Sequence, residues 1–299
     1  MTPENIVKYE IPEPKIQDEN IQIFEKVASY CDYYNVPVNN LVEVLQNLKV
    51  VPMIRGISFE YTVSNKLKKL LNKSLWSVSN PIVNAQAEIH DADVEILRLR
   101  DHKKIRIECK LAKNASFTMK GKVRPNSFSV KCMRSRTVSD NEVATKMAEK
   151  YRVPREMVLD HPDNYRAQDF DFVITTMGNS LWKTTDKKYG FIGTKGQEAF
   201  LNQKFPDHFP ILPNLDRFQH NSFNFLLIAP SKDLVVGAKN NLKCSRIKCK
   251  NRGNSLDCGF IPNYPVVKLS DVELNNGAWR ILSDIDLNSY FNNFLDETV

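Results

Sequence analysis

The sequence lacks several features that mark membrane, secreted or ATP-driven proteins. It has no run of about eighteen apolar residues, the length that a membrane-spanning helix needs. Residues 1–20 show neither an apolar signal core nor a cleavage pattern, so we expect a cytoplasmic protein that binds no membrane. The segment 189–196 lacks the spacing and the GK[ST] ending of a Walker loop. We therefore expect no nucleotide cofactor and no motor activity.

Histidine and cysteine are also sparse. The five histidines form no HxxxH pair and no HNH-type arrangement, and no nucleophile elbow occurs. Six cysteines in 299 residues without an export signal predict reduced thiols rather than a disulfide framework. Cys109 and Cys132 lie in strand-like runs, where we expect them to pack in the interior.

The composition that is present predicts a globular protein with an anionic partner. Apolar residues make up 42% and charged residues 26% of the chain, so it can bury a core. The formal net charge is +7 and the pI is near 9.0, which favours a negatively charged partner only slightly. The lysines and arginines concentrate in 98–136 and 243–252. The first cluster surrounds the best catalytic candidates, and this placement says more than the total charge.

Apolar periodicity predicts an α/β fold with a mixed central sheet flanked by helices. Residues 1–18 are expected to form an extended arm, and a helical N-terminal flank extends to residue 52, followed by one core domain at 53–299. Asn39 is a candidate cap for the second helix. Helices are predicted at 21–34, 39–48, 56–72, 141–151 and 154–160. Strands are predicted at 88–100, 104–112, 127–133, 170–176 and 223–229.

Two acids and a lysine are expected to converge on the hairpin formed by the first two strands. Side-chain alternation puts Glu108 and Lys110 on one strand face, and the turn at 101–103 brings Asp93 close to them. Glu60 falls within the apolar arc of the preceding helix, where a buried acid needs a partner. That partner is either the same cluster or an ion pair with Arg55 or Lys110. Carboxylates that hold Mg²⁺ beside a lysine can hydrolyse a phosphodiester, because the metal activates water and the cation stabilises the developing charge.

This pattern resembles the PD-(D/E)xK nuclease core over about residues 56–112. The resemblance implies a type II restriction endonuclease, which uses Mg²⁺ to hydrolyse double-stranded DNA at specific sites and leaves 5′-phosphates. It assigns Asp93 and Glu108 to the metal, Lys110 to the attacking water and the phosphate, and Glu60 to the same centre. The chain departs from the family pattern at Ala92, where a proline is usual. A palindromic duplex site suits a two-fold homodimer.

Several alternatives remain open at this point. Asp91 or Glu95 could replace Asp93 as the metal ligand, and Lys131 with Glu142 could replace Lys110 with Glu108. A repair or structure-specific nuclease of the same superfamily fits the same residues. A regulator that binds DNA without cutting it, and uses the acids as ordinary ion pairs, is the alternative from another class.

Basic residues around the hairpin are candidate DNA contacts. Lys113, Lys131, Arg134 and Arg136 could hold phosphates or read guanine. The segment 142–160 resembles a helix-turn-helix, and its second helix carries Arg155.

Cys244, Cys249 and Cys258 lie in a second basic segment. Their spacings are not paired CxxC motifs, and no histidine nearby in the sequence completes a tetrahedral site. The sequence therefore favours a DNA-facing basic loop over a structural zinc site.

Overall fold

A computed structural model of the chain describes residues 18–81, 92–119, 126–134, 137–138, 140–185, 189–209, 223–237, 244–253 and 256–297. The chain divides into two compact units, one ending at Pro52 and one beginning at Met53. The first unit contains α1 (Asp18–Tyr33) and α2 (Val38–Gln46). The N-cap of α2 is Pro37, so the predicted cap at Asn39 is wrong. Asn39 lies inside the first turn, because Pro37 supplies an extended residue that starts the helix earlier.

The second unit is built on a six-stranded mixed sheet flanked by helices, which confirms the predicted fold class. The strands follow the order β1-β2-β3-β5-β8-β10. Only β3 and β5 are parallel, and every other neighbouring pair is antiparallel. The six strands are β1 (Trp76–Ser79), β2 (Val94–Arg98), β3 (Lys104–Leu111), β5 (Phe172–Thr176), β8 (Leu226–Pro230) and β10 (Arg280–Ile281).

Two small antiparallel pairs and seven α-helices accompany the sheet in the described residues, and the first of these helices begins two residues before Met53. The pairs are β4 (Ser127–Ser129) with β9 (Val266–Lys268), and β6 (Trp182–Thr184) with β7 (Tyr189–Phe191). The helices are α3 (Val51–Leu70), α4 (Asn141–Tyr151), α5 (Arg155–Asp160), α6 (Lys195–Lys204), α7 (Ile247–Asn251), α8 (Leu269–Glu273) and α9 (Leu287–Glu297). None of the described helices is long and apolar enough to cross a membrane.

One face of the sheet packs against α3 and α9. The inward arc of α3 contains Phe59, Val63 and Leu67, each fully buried, as the periodicity predicts. It packs with Ile105 and Ile107 of β3 in one apolar cluster, to which the buried side of α9 also belongs. This packing fixes α3, and with it Glu60, over the β2–β3 hairpin.

The opposite face of the sheet is also covered. Val173 and Leu227 share a second apolar cluster with Phe170, Tyr165 and residues of α6 and α8. Because Val173 lies directly beside Glu108 in the parallel register, the Glu108 side of β3 faces this second cluster rather than solvent. The polar face predicted for β3 is therefore largely enclosed.

Nine of the described elements were missed from the sequence: the strands β1, β6, β7, β9 and β10 and the helices α6, α7, α8 and α9. Strand β1 has four residues and β10 has two, which is too short for a convincing alternation. Helix α9 has a signal that could have found it, since its buried residues Leu287, Phe291 and Leu295 recur every four positions. The strand predicted at 127–133 ends at Ser129, and part of the one predicted at 88–100 lies outside the described residues.

Candidate active site

Asp93 is held at the start of β2 by the backbone of β3. Its N–H donates to the Ile107 carbonyl at 2.9 Å, and its Oδ2 accepts from the Cys109 N–H at 2.7 Å. The β2–β3 pairing sets Val94 opposite Ile107, and these two hydrogen bonds extend the contact with β3 to Asp93. Burial raises the pKa of the Asp93 carboxyl, against the opposing effects of Lys110 and of the Cys109 hydrogen bond. The hairpin thus fixes this carboxylate beside Glu108 through backbone contacts with β3.

Glu108 is the most deeply enclosed of the acids. Its residue is 3% exposed, and its Oε1 accepts a hydrogen bond from the Tyr165 hydroxyl at 3.0 Å. The same Oε1 pairs with the Lys110 ammonium. Burial raises the pKa of Glu108 to about 8; the nearby Asp93 adds to the increase, and Lys110 and Tyr165 oppose it. Tyr165, which supports this carboxylate, was not identified from the sequence, where no motif marks it.

Lys110 carries the only positive charge that we assign to the cluster. Burial alone would lower its pKa, but Glu108, Tyr165 and Asp93 together raise it well above the usual value for lysine. Its Nζ also lies 5.3 Å from the centroid of the Tyr165 ring. Lys110 therefore stays charged and is oriented by both neighbours.

Glu60 completes the cluster from α3. Burial raises its pKa to about 7; the nearby Asp93 adds to this, and Lys110 reduces it. The alternative partner, Arg55, has its guanidinium 4.6 Å from the centroid of the Trp182 ring. Three carboxylates facing one ammonium give a net charge of minus two when all are ionised. This excess negative charge in a partly dry site favours either protonation or a divalent cation.

Cys109 also lies in the cluster but is not suited to act as a nucleophile. Its pKa is raised well above the usual thiol value by burial first, and then by the charges of Asp93, Glu108 and Glu60. The reactive form of cysteine is the thiolate, which this environment suppresses. Cys109 and Cys132 are both buried, as predicted from their strand-like surroundings.

Arg134, predicted as a DNA contact, lies instead in a buried network beside the site. Its guanidinium pairs with Asp169, which is 0% exposed, and donates to the Tyr151 hydroxyl at 2.7 Å. Lys150 also pairs with Asp169, at 2.9 Å. The guanidinium lies 4.5 Å from the centroid of the Tyr165 ring. Arg134 therefore positions Tyr165 and α4, and we remove it from the candidate DNA contacts.

The other predicted contacts are more accessible. Lys113 and Lys131 are exposed. The Lys113 N–H donates to the Ser129 carbonyl and the Lys131 N–H to the Leu111 carbonyl, so both lysines lie where the ends of β3 and β4 meet. Arg155 is exposed on α5. Asp91 and Arg136 lie outside the described residues.

Two of the three alternative acids pair with lysines outside the cluster. Glu95 pairs with Lys104 at 2.9 Å. Glu142 is exposed on α4 and pairs with Lys146 at 2.8 Å. The carboxylate that contacts Lys110 is Glu108, so we keep Asp93 and Glu108 as the candidate ligands.

The helix pair predicted at 142–160 is present. Arg152, with a φ of 55°, ends α4, and Pro154 precedes α5, which has six residues. Ala144 and Met147 are buried, as expected from their spacing. DNA recognition by this pair stays a prediction.

The three cysteines of the second basic segment are not surface residues of a loop. Cys244, Cys249 and Cys258 are buried, and His161 joins them. The histidine that no nearby position in the sequence supplies therefore comes from a distant segment. His161 lies 83 positions before Cys244, and no local pattern could have revealed the approach.

Comparison of the chain with family models, with curated proteins and with solved structures gave no match in any of the three. The functional argument therefore depends on the geometry of the site.

The raised pKa of Glu108 predicts a pH-dependent stability in the metal-free protein. The folded state holds this proton up to about pH 8 and the unfolded state only to about 4.5, so stability falls as the pH rises between these values. In EDTA, Glu108→Gln should reduce the slope of the unfolding free energy against pH by up to about 1.4 kcal/mol per pH unit in this range. Urea unfolding at several pH values measures it. Glu142→Gln, on an exposed acid, should leave the slope unchanged, and an unchanged slope in Glu108→Gln would contradict the assignment.

Proposed function

We propose that this chain is a Mg²⁺-dependent endodeoxyribonuclease related to type II restriction enzymes. The observation that carries the proposal is the convergence of Glu60, Asp93, Glu108 and Lys110 in a partly buried cluster with excess negative charge. Hard carboxylate oxygens are the ligands that Mg²⁺ prefers, and a charge of plus two balances the cluster.

Each residue of the cluster has a distinct proposed role. Asp93 and Glu108 would hold the metal, which would lower the pKa of bound water and polarise the phosphoryl oxygen. The two described contacts of Glu108, with Tyr165 and Lys110, both use Oε1. Lys110 orients the attacking water and stabilises the negative charge that builds up on the phosphate. Glu60 would bind the metal, or a water attached to it, from α3.

The order of the elements also supports a nuclease of the PD-(D/E)xK type. A helix with an inward glutamate precedes an antiparallel hairpin, and the strand that carries Glu108 and Lys110 pairs in parallel with a later strand. This is the arrangement that the resemblance at residues 56–112 implies. Fold alone does not define function, so the weight rests on the side chains.

The proposed substrate is double-stranded DNA. Lys113 and Lys131 are both exposed. Lys113 follows Lys110 by three residues, and the Lys131 N–H donates to the carbonyl of Leu111 at the end of β3. Cations at such an edge can hold the phosphates on either side of the cut. We also propose a homodimer, because two active sites related by two-fold symmetry suit a palindromic duplex.

The direct test is incubation of the purified protein with unmethylated phage DNA, with and without Mg²⁺. Discrete fragments that require Mg²⁺ and carry 5′-phosphates are expected. Fragments that appear only from branched or damaged DNA would point to a structure-specific or repair nuclease.

A second candidate function is DNA binding without cleavage, and the helix pair α4–α5 favours it. In that case DNA would be retarded on a gel in EDTA as well as in Mg²⁺ and would stay intact. Such a result would overturn the nuclease proposal and would leave the acid cluster as a structural ion pair.

A further inference from the structure

A second cluster of ligand-type side chains lies apart from the acids of the proposed active site. His161, Cys244, Cys249 and Cys258 are all buried, and their ligand atoms lie within 4.8 Å of one another. Three thiols and an imidazole form one of the common donor sets of structural zinc sites. In a tetrahedral site with Zn–S bonds of about 2.3 Å, the sulfurs are about 3.8 Å apart, so the cluster needs only small adjustments.

The orientation of His161 is fixed in a way that suits metal binding. Its Nδ1 lies 2.8 Å from the Met157 carbonyl, which can only accept, so the proton is on Nδ1. The lone pair is then on Nε2, which lies 3.2 Å from the Cys244 sulfur. The ring stacks on Phe260, with centroids 4.2 Å apart and planes at 3°. A hydrogen bond from the second nitrogen to a carbonyl is the usual support of a zinc-bound histidine.

The cysteine side is also arranged around a common centre. Cys249 is buried on α7 between the exposed Lys248 and Lys250, so the segment turns its sulfur inward and its charges outward. The Arg246 N–H lies 3.4 Å from the Cys244 sulfur, where it can stabilise a thiolate. The segment can therefore expose its basic side chains to solvent while its cysteines bind a metal in the interior.

We propose that His161, Cys244, Cys249 and Cys258 bind one structural zinc ion. The ion links the end of α5 to the segment 244–258, and both belong to the apolar cluster that contains Tyr151 and Phe260. On binding, the three thiols release their protons to solvent, and the sulfurs and Nε2 donate their lone pairs to the metal. The site is independent of the Mg²⁺ centre and does not depend on the proposed nuclease activity.

The test is the zinc content of the full chain after growth in zinc-supplemented medium and purification without chelator. About one zinc per chain is expected by elemental mass spectrometry. Replacement by Co²⁺ should give thiolate-to-cobalt charge-transfer absorption and the visible bands of tetrahedral cobalt. These measurements on the unaltered protein need no variant to fold.

Matched variants locate the ion. Cys249→Ser and His161→Ala should retain less than about a tenth of the wild-type zinc. Cys31→Ser, which changes a buried cysteine outside the cluster, and Asp93→Asn should both retain it in full. A wild-type protein with less than about a tenth of a zinc per chain and no thiolate–cobalt absorption would overturn the proposal. So would fewer than six titratable thiols in the denatured, unreduced protein, because a disulfide would then explain the short distances.

Discussion

Asp93→Asn is expected to reduce Mg²⁺-dependent DNA cleavage roughly 10³-fold, equivalent to about 4 kcal/mol of transition-state stabilisation. The substitution removes the charge of a proposed metal ligand but keeps an oxygen that can accept the hydrogen bond from the Cys109 N–H. The hairpin should therefore fold normally. Single-turnover cleavage of a plasmid that the wild type cuts, measured over a range of Mg²⁺ concentrations, gives the effect on binding and on the chemical step separately.

The matched control is Glu95→Gln, two positions along the same strand. It removes the same charge, but Glu95 pairs with Lys104 in the structure. Its cleavage rate should stay within about twofold of the wild type, because a partly exposed ion pair contributes little. If Glu95→Gln lost activity and Asp93→Asn kept it, the choice between the two acids would be reversed.

Arg134→Ala is expected to destabilise the protein by about 3 kcal/mol. Removal of one partner of a buried ion pair leaves the other charge desolvated, and such changes typically cost about 3–5 kcal/mol. The lower end applies because Asp169 keeps Lys150, the Tyr151 hydroxyl and the Arg166 N–H as partners. Urea unfolding followed by circular dichroism measures the change.

Arg155→Ala provides the comparison for this prediction. Arg155 pairs with Glu156 at 3.7 Å, and both side chains are about half exposed, so the expected change in stability is below about 0.5 kcal/mol. The pair of variants separates the two interpretations of Arg134. A stable Arg134→Ala protein that had lost DNA affinity would restore the original prediction of a phosphate contact.

Sequence periodicity was sufficient for the parts of the fold that depend on local pattern. The alternation in residues 104–111 predicts β3 and its two faces, and the arc of Phe59, Val63 and Leu67 predicts the buried side of α3. The pairing of Asp93 with Glu108 follows from a hairpin, whose register is set by a short turn. These elements carry the candidate ligands, so most of the proposed site could be reached from the sequence.

The residues that were missed or misassigned depend on contacts between distant segments. Arg134 lies in a run of basic residues, and only the approach of Asp169, 35 positions later, makes it a buried partner. Tyr165 reaches Glu108 across 57 positions. His161 similarly joins cysteines more than eighty positions away. Sequence reasoning assigns a charged or polar residue to the surface unless a partner is visible, and none of these partners is local.

The parallel pairing of β3 with β5 sets an order in which the acid cluster can assemble. The β2–β3 hairpin closes a loop of about five residues, whereas β3 and β5 are separated by about sixty, which costs about 2 kcal/mol more in chain entropy. Contacts that are local in the chain generally form first. Asp93 and Glu108 therefore meet while water still surrounds them, and Tyr165, which precedes β5, arrives with the later strand. The repulsion between the carboxylates becomes costly only at the last stage of folding, when the distant half of the chain excludes water from them.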